Sequence, residues 1–554
     1  MKRFIAIALV FVLIAALTGC SGAGTSESNL TQKQAQEKLD ALVQSKVKTR
    51  TVGHEPDNSW VGTGGSIDEL PNINQKYPLS VKGASSNNVE IFSSTEKSTA
   101  DASGWLDIEA KAFNRANSDR SVSVRPIASG SAMGYITSDK YVPGAYSPAN
   151  ELWAVMLQSK GVNLDTIAQK LTGNEAGILM KKNVYQNYVK KYGQPVTIDN
   201  VVKAVLAGDL KLAHTDPNVS STGLNIMTQE LRAFDPANPF SDKAQAQMQR
   251  FADKIPPTSP TTAEMVQVAS KGLADAIITE YQAWQSDPSL KDWVFTPCGV
   301  LHNSPLYAFD KANPEQKQTL KAFADFCMTS AAQKEATNLG FNPTGSYNGV
   351  KNEYTGAELY KALDFWKQNK DAGKPVLSVF VIDRSGSMEG EPLNQLKASL
   401  LNGANYINEN YYVGLVSYSS ANDITIDLPI NKFTAEQHSL FYGAVGGLQA
   451  RGNTATNSAL VAAMNLLVKK QASLNLADAK LRVFLLSDGQ QNDGLSMSQI
   501  KGIVSGLKIP IYTIGYNNDI DSLKELSSLN EAYCVNADSS DVVMNIKQLF
   551  TAQL

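Results

Sequence analysis

The chain has 554 residues, of which 43% are hydrophobic and 19% are charged, and its formal net charge is −3. Such a composition supplies fully packed cores, and the length predicts about two or three folded domains. The near-neutral charge, without an arginine- or lysine-rich cluster, argues against a nucleic-acid partner.

The first twenty residues have the pattern of an export signal. Lys2 and Arg3 precede the apolar stretch 4–16, which is too short for an ordinary membrane span. Leu-Thr-Gly-Cys at 17–20 resembles the bacterial lipobox, which implies thioether lipidation of Cys20 and removal of the residues before it. We therefore expect a lipoprotein signal peptide at 1–20 and an extracytoplasmic protein anchored to the bacterial membrane. A plain secretory signal with a chance cysteine is the alternative.

Residues 21–85 are interpreted as a tether that holds the folded part away from the lipid surface. Ser, Gly and Thr dominate its start, and Pro, Gly and Asn recur towards its end. Within it, residues 31–46 predict a short polar helix whose apolar positions are Leu39, Leu42 and Val43.

Residues 86–350 alternate strand and helix patterns, which predicts an α/β domain. Apolar runs at 89–92 and 122–127 predict strands, and the spacing of apolar residues at 105–113 and 224–231 predicts helices.

Polar loops at the ends of these elements carry candidate ligand-binding side chains. Helix N-termini that carry Ser or Thr hydroxyl groups can bind small anions. The ordinary role of Ser and Thr at these positions is to cap the helix. The six candidates are Ser93, Ser94, Ser129, Ser131, Ser221 and Thr222.

Four stretches of this domain, 127–131, 146–153, 216–224 and 331–343, resemble bacterial extracellular solute-binding proteins of the type II periplasmic class. The resemblance implies two lobes, a hinge and a cleft for a small molecule or anion. Because one fold serves many ligands, it does not name the solute. Loss of solute binding in favour of a scaffold role stays open.

A connector helix is expected within 351–372, and Gly373 and Pro375 mark the start of a second domain, 373–554. Alternating strands and helices predict a doubly wound sheet there. The predicted strands are 376–382, 412–418, 481–487 and 509–515, and the predicted helices are 393–401, 459–468, 497–507 and 542–550.

Three separated segments of this second domain combine into a predicted metal site. Asp383-Arg384-Ser385-Gly386-Ser387 and Asp488 each follow an apolar strand, and Thr454 lies in a turn before a helix. Open α/β sheets bind ligands at the carboxyl ends of their strands. Hydroxyl, carboxylate and water oxygens are the ligands that Mg²⁺, Mn²⁺ and Ca²⁺ prefer.

The five residues Asp383, Ser385, Ser387, Thr454 and Asp488 resemble the metal-ion-dependent adhesion site of von Willebrand factor type A domains. The resemblance implies a Rossmann-like fold in which Ser385 and Ser387 ligate the metal directly. It implies that Asp383, Thr454 and Asp488 contact the metal directly or through water, and that an acidic side chain of a protein partner fills an open position. Asp-x-Ser-x-Ser by itself also forms ordinary turns.

The sequence contains few signs of a catalytic site. Its four histidines are scattered, and zinc-peptidase, nucleophile-elbow and phosphate-loop motifs are absent from it. Besides Cys20 there are three cysteines, so at least one thiol is expected to be free; Cys298 and Cys327 could pair in an oxidising compartment.

We therefore expect a non-enzymatic, lipid-anchored protein that binds a protein partner through a divalent metal and carries a solute-binding-like module. The alternative is the substrate-binding lipoprotein of a membrane transport system for a small oxyanion. A scaffold in which solute binding alters the affinity of the metal site is a third hypothesis.

Overall fold

The computed structural model describes residues 30–59, 70, 72–255, 258, 259, 265, 274–405, 407–488, 491–515, 521–530, 532 and 534–536. The expected signal peptide with Cys20 and the expected helix at 542–550 lie outside these residues. Within the described part, no helix has the length and apolar composition that crossing a membrane requires.

The helices and strands alternate along most of the chain. Up to residue 369 the elements are α1 Gln32–Lys46, β1 Thr49–Thr51, α2 Ile73–Lys76, β2 Asn87–Ser93, α3 Trp105–Ala116, β3 Arg120–Pro126, α4 Ser129–Thr137, β4 Ala145–Ser147, α5 Leu152–Ser159, β5 Leu164–Ala168, β6 Glu175–Lys181, α6 Lys182–Tyr192, α7 Ile198–Leu206, β7 Leu212–Ala213, α8 Ser221–Phe234, α9 Asp242–Ala252, β8 Ala276–Glu280, α10 Tyr281–Ser286, β9 Trp293–Leu301, β10 Leu306–Phe309, α11 Pro314–Cys327, α12 Ser330–Asn338 and α13 Gly356–Asn369. After residue 369 they are β11 Val376–Asp383, α14 Glu391–Ala404, β12 Tyr412–Tyr418, β13 Ile424–Lys432, α15 Ala435–Gly446, α16 Thr456–Ser473, β14 Lys480–Ser487, α17 Met497–Leu507, β15 Ile511–Gly515, α18 Asp521–Ser528 and β16 Cys534–Asn536.

Two sheets form the two lobes of what we call the two-lobed module, residues 72–369. Lobe 1 has the strand order β3-β2-β4-β10-β5, and lobe 2 has the order β7-β8-β6-β9. The chain passes from lobe 1 to lobe 2 after β5 and returns after β9, so two crossing segments join the lobes. This is the two-lobed α/β architecture that the sequence analysis predicted.

The two lobes share one apolar core. A single cluster of buried side chains includes Phe92 and Trp153 of lobe 1 together with Ile178 and Leu224 of lobe 2. At Gly130 the backbone N–H donates to Val219 O at 3.1 Å, and a Cβ added there would lie 2.2 Å from Asn218 O. The lobes are therefore closed against each other.

Helix α13 belongs to the two-lobed module and is not a free connector. It begins with a capping box formed by Thr355 and Glu358, which satisfies its first N–H groups. Leu359, Ala362 and Trp366 are buried in the core that the lobes share, and the helix packs against α5. The connector expected within 351–372 therefore reduces to a few residues after α13.

The remaining elements build what we call the seven-stranded module, with strand order β1-β13-β12-β11-β14-β15-β16. The central strands are parallel, whereas β13 is antiparallel to β12. Every residue of β11 is buried, as its continuous apolar run predicted for a parallel strand covered on both faces. Helices α14 and α15 cover one face, and α16 and α17 cover the other.

The segment expected to be a tether is a structural part of this module. Residues 30–59, which we call the N-terminal segment, contribute α1 and the edge strand β1, whose Thr49–Thr51 pairs in parallel with Ile424–Ile426. Ala35 and Leu39 are fully buried against α16 and α17. Burial of this apolar face explains why the segment folds back, and the two-lobed module is thus inserted between β1 and β11.

Two glycines allow the N-terminal segment to approach closely. A Cβ at Gly506 of α17 would lie 2.8 Å from the Cβ of Ala35, and a Cβ at Gly443 of α15 would lie 2.0 Å from Glu55 O. Any side chain at either position would push the segment away.

The two modules meet where α13 ends. Asp371 accepts hydrogen bonds from Arg482 of β14 and from the Tyr411 hydroxyl, and Lys374 pairs with Asp253 of the two-lobed module. Burial would raise the pKa of Asp371, but the positive charges of Arg482 and Lys370 hold it well below its usual range. The junction is therefore an ionic network in which Asp371 stays charged.

Cys298 and Cys327 do not pair. Both are free thiols, and they lie in β9 of lobe 2 and in α11 of lobe 1. Burial raises the pKa of each thiol, so both are held in the protonated form.

Candidate metal site and its surroundings

Strands β11 and β14 end side by side and bring two of the predicted ligands together. Their register pairs Ile382 with Leu486, so the next residues along each strand, Asp383 and Ser487, emerge at the same edge of the sheet. The Ser487 hydroxyl donates a hydrogen bond to Asp383 Oδ2. Ser487 was not among the predicted site residues, although its place directly before Asp488 is the signal that would have found it.

Hydrogen bonds connect four of the five predicted residues. Ser385 N–H donates to Asp383 Oδ1 at 2.8 Å, the hydroxyls of Ser385 and Ser387 lie 3.1 Å apart, and Ser387 Oγ donates to Asp488 Oδ1 at 2.9 Å. Two of the three segments predicted from sequence, 383–387 and Asp488, thus converge in space through these four residues.

Thr454 reaches the same edge through its loop. Gly386 N–H donates to Gly452 O at 3.0 Å, which ties that loop to the Asp383–Ser387 turn. Thr454 N–H donates to Asn492 Oδ1 at 2.9 Å, and Asn492 N–H donates back to Thr454 O at 3.0 Å. Asn492 therefore positions the fifth predicted residue, which is itself buried.

The electrostatics of the site favour a cation. Burial, and to a smaller extent the charge of Asp488, raises the pKa of Asp383 to about 6, and burial also raises the pKa of Asp488. Two buried carboxylates side by side are unfavourable unless a positive charge compensates them.

The donor chemistry fits a hard divalent ion. All five predicted side chains offer oxygen, which suits Mg²⁺, Mn²⁺ or Ca²⁺ and not a thiolate-preferring metal. No group of three or more His, Cys, Asp or Glu side chains that could hold a metal ion occurs among the described residues. The candidate site has two acids, and its other side-chain oxygens belong to hydroxyls. Ser387 is exposed while Asp383 and Ser385 are buried, so the site faces solvent on one side.

Arg384, between two of the predicted ligands, is engaged elsewhere. Its Nε donates to Ser417 Oγ at 2.9 Å and its Nη2 donates to Asp423 Oδ1 at 2.7 Å. Burial would raise the pKa of Asp423, but hydrogen bonds from Arg451 and Arg384 hold it well below its usual range. Sequence reasoning missed Asp423 because no strand was predicted at β13.

The six predicted ligand contacts of the two-lobed module are all buried, and Ser221 is bonded across the two lobes. Trp153 Nε1 donates to Ser221 Oγ at 2.9 Å, Thr222 Oγ1 donates to Glu280 Oε1 at 2.9 Å, and Ser98 Oγ donates to Ser93 Oγ at 2.7 Å. The loop expected at Ser129 and Ser131 is instead the first turn of α4.

Charged side chains of the chain itself fill the region around these hydroxyls. Lys97 is fully buried and donates to Ser94 Oγ and, at 2.8 Å, to Ser147 O; its burial lowers its pKa although Glu96 opposes this. His302 Nδ1 donates to Glu280 Oε1 at 3.0 Å, and its Nε2 lies 3.0 Å from Asn150 Nδ2 of the opposite lobe. In this closed form the polar groups between the lobes bond largely to one another.

Family comparisons agree with the two parts of the fold. Residues 379–551 match the family model of the von Willebrand factor type A domain, and residues 98–342 match that of the bacterial extracellular solute-binding protein. Both families are of binding kinds rather than enzymatic ones. Together they support a role in protein interaction or solute binding.

Individual relatives cover only parts of the chain. Inter-alpha-trypsin inhibitor heavy chain H1 of Bos taurus is 32% identical over 176 residues, which is 30% of this chain and 18% of the relative. A von Willebrand factor type A structure from Catenulispora acidiphila has a TM-score of 0.29 at 15% identity and covers 32% of this chain and 42% of its own. A periplasmic thiamin binding protein has a TM-score of 0.39 at 15% identity, covering 52% of this chain and 99% of its own.

Proposed function

We propose that this chain, which joins a region matching bacterial extracellular solute-binding proteins to a region matching the von Willebrand factor type A domain, binds a protein partner through a divalent cation. The observation that carries the proposal is the hydrogen-bonded convergence of Asp383, Ser385, Ser387 and Asp488 at one sheet edge that is open to solvent through Ser387.

In the proposed mechanism Asp383, Ser385, Ser387, Thr454 and Asp488 would hold Mg²⁺ or a similar ion. The ion supplies a positive charge with an open coordination position, which an acidic side chain of the partner completes. The hydrogen bonds that now join Ser387 to Ser385 and Asp488 hold the oxygens close together before the ion arrives. Arg384, whose side chain is turned towards Asp423, fixes the backbone between Asp383 and Ser385.

The test is capture of a partner from native envelope extract by the chain without residues 1–23, in Mg²⁺ and in EDTA. We expect a partner that is retained only in Mg²⁺ and that Asp383→Ala loses. Asp521→Ala is the matched control, because its side chain is 88% exposed and lies on α18. A partner retained equally in EDTA, or by Asp383→Ala, contradicts the proposal.

Solute binding between the lobes is the second candidate function. Its supporting observation is the contact between the lobes at two of the candidate segments, where Trp153 donates to Ser221 and Gly130 N–H, next to Ser129, donates to Val219 O. Sulfate, phosphate and molybdate are suitable probes for the small oxyanion that this function would require. A probe that raises the melting temperature of the wild-type chain but not of Ser129→Ala supports it, and no shift with any probe counts against it.

We also propose that the chain is held at a membrane by a lipid on Cys20. The supporting observation is the Lys2, Arg3 and Leu-Thr-Gly-Cys pattern of the first twenty residues. Firm anchoring requires two or more acyl chains, as lipidation of an N-terminal cysteine provides. The intact mass of the protein recovered from membranes tests this, and Cys20→Ser should move the protein to the soluble fraction.

A further inference from the structure

A small cavity lies beside the candidate metal site, and we call it the arginine pocket. It has a volume of about 200 Å³, and the ionisable side chains that line it are those of Arg50, His54, Arg384, Asp427 and Arg451. Ser417, Thr425 and Gln449 also line it. The N-terminal segment supplies Arg50 and His54, the turn after β11 supplies Arg384, and the loop before α16 supplies Arg451. The pocket is therefore complete only when the N-terminal segment is docked.

Positive charge exceeds negative charge around this pocket. Three guanidinium groups meet one carboxylate, because Asp423 is contacted by Arg384 at 2.7 Å, by Arg451 at 2.8 Å and by Arg50 at 3.3 Å. Asp427 is the second acid of the pocket, and it is already engaged by Ser417 N–H at 2.9 Å and by His54 Nε2 at 3.3 Å. Two carboxylates thus face three arginines.

One buried donor in this group has no acceptor. Arg384 is only 4% exposed in its side chain, and its Nη1 has no hydrogen-bond partner among the described residues, whereas its Nε and Nη2 are both engaged. A buried charged donor without an acceptor is costly, and an anion in the pocket would satisfy it. Arginine groups recognise carboxylates and phosphates through paired N–H groups in a planar fork.

The size and position of the pocket narrow the choice of ligand. Sites for whole drug-sized molecules usually have about 300–1,000 Å³, so this pocket suits a single acidic group better than a nucleotide or a large metabolite. It also shares its backbone with the candidate metal site, because Arg384 lies between Asp383 and Ser385, and Arg451 N–H donates to Arg384 O at 2.8 Å. The pocket and the candidate metal site are therefore neighbours at the turn that follows β11.

We propose that the arginine pocket is a second acidic subsite, which binds a side-chain carboxylate of the same protein partner that the metal site captures. This inference rests on the proposed function, in which the metal site captures a protein partner. The partner then presents two acidic groups, one to the metal and one to Arg384, Arg50 and Arg451.

A fluorescent oligo-glutamate peptide, titrated into the full chain and followed by anisotropy, tests the inference in Mg²⁺ and in EDTA. The variant is the double substitution Arg50→Gln and Arg451→Gln, since these side chains are 54% and 50% exposed and their loss should leave the fold intact. Arg120→Gln is the matched control, because Arg120 is 37% exposed and pairs with Asp119 in the two-lobed module. We expect the double variant to weaken peptide binding about tenfold in Mg²⁺ and to abolish the residual binding in EDTA, while the control changes neither.

The outcomes separate this inference from the proposed function. If the double variant binds as the wild type does in both buffers, the arginine pocket is not a subsite, whereas loss with Asp383→Ala still supports the metal site. If EDTA and Asp383→Ala leave peptide binding unchanged but the double variant loses it, the arginine pocket is supported and the metal-dependent function is contradicted. If free acetate occupies the pocket as tightly as the peptide does, the assignment to a partner's side chain is overturned. Absence of peptide binding in both buffers overturns it as well.

Discussion

Arg50 donates a hydrogen bond to Asp423 at 3.3 Å although 373 positions of the chain separate them. The same carboxylate receives Arg384 from the turn of the candidate metal site. The N-terminal segment is thereby connected, through one aspartate, to the residues from which we argue function.

Docking of α1 should stabilise the seven-stranded module. Leu39 is 0% exposed in the apolar cluster under α16 and α17, so Leu39→Ala should lower the free energy of unfolding by about 2–5 kcal/mol. Urea unfolding of the full chain measures this. Glu37→Ala, at an exposed position of the same helix, should change stability by less than about 0.5 kcal/mol. Equal effects of the two variants would mean that α1 does not dock.

The close approach of the N-terminal segment to α15 should make Gly443 irreplaceable. A Cβ there would lie 2.0 Å from Glu55 O, so Gly443→Ala should detach the segment around Asp57, whose N–H donates to Ser439 O at 3.0 Å. Hydrogen exchange at that amide measures the loss. Gly446→Ala on the same helix is the control, since nothing lies within 4 Å of its added Cβ and alanine favours a helix by about 1 kcal/mol. Unchanged protection in Gly443→Ala would contradict the structure.

Magnesium should stabilise the folded chain through its two buried acids. Binding to the folded form alone contributes about 2.7 kcal/mol when the free ion exceeds its Kd a hundredfold. Asp488→Asn should remove this increment. In EDTA the variant should be no less stable than the wild type, because burial already raises the pKa of Asp488 and so penalises its charge. Thermal unfolding with and without Mg²⁺ measures this increment. If Mg²⁺ still stabilises Asp488→Asn, Asp488 is not a ligand.

His438 should make the chain less stable in mild acid. It is 8% exposed between the rings of Phe433 and Tyr442, and burial lowers its pKa to about 4. In the unfolded chain the pKa is about 6.5, so between these values the unfolded form binds a proton that the folded form does not. Stability contributed by neutral His438 is therefore complete above about pH 6.5 and is lost as the pH falls towards 4.

His438→Gln should remove that part of the pH dependence. Denaturant midpoints of the wild type and the variant, measured from neutral pH to about pH 4, should diverge as the pH falls, with the wild type losing more. Parallel curves would show that His438 is not held neutral by its surroundings.

The two segments that join the lobes should depend on Glu280. This carboxylate accepts from His302 Nδ1 at 3.0 Å, from Asn174 Nδ2 at 2.9 Å and from Thr222 Oγ1 at 2.9 Å. Glu280→Ala leaves these buried donors without their acceptor and should cost about 3–5 kcal/mol. Glu353→Ala, at an exposed ion pair with Arg232, should cost less than about 1 kcal/mol. The free energies of unfolding of the Glu280→Ala and Glu353→Ala variants, measured by the tryptophan fluorescence of the two-lobed module, test this difference.

The sequence predicted the central strands and the convergence of the metal-site residues because both depend on local pattern. β11 and β14 are continuous apolar runs, and a carboxylate or hydroxyl at the end of each must emerge at one edge of the sheet. The sequence did not predict the cluster of Arg384, Asp423 and Arg451. This cluster depends on β13, which pairs antiparallel with β12 and was not predicted as a strand.

The role of residues 30–59 was missed for a similar reason. The apolar face of α1 is narrow, consisting mainly of Ala35, Leu39 and two half-buried neighbours, and such a face is typical of a loosely held helix. Its binding surface, which includes Gly506, lies far along the chain. Local composition alone therefore predicts a tether, whereas contacts with distant parts of the chain hold these residues against the seven-stranded module.

Insertion of the two-lobed module between β1 and β11 also constrains how the chain is made. Synthesis proceeds from the amino end, and domains generally fold as units while the chain grows. α1 and β1 leave the ribosome long before β13 and α17 are synthesised. During that time β1 has no strand to pair with and its edge is exposed, whereas the two-lobed module can already fold. Such an edge invites mispairing, and a chaperone or export factor that shields the first residues would act at this stage.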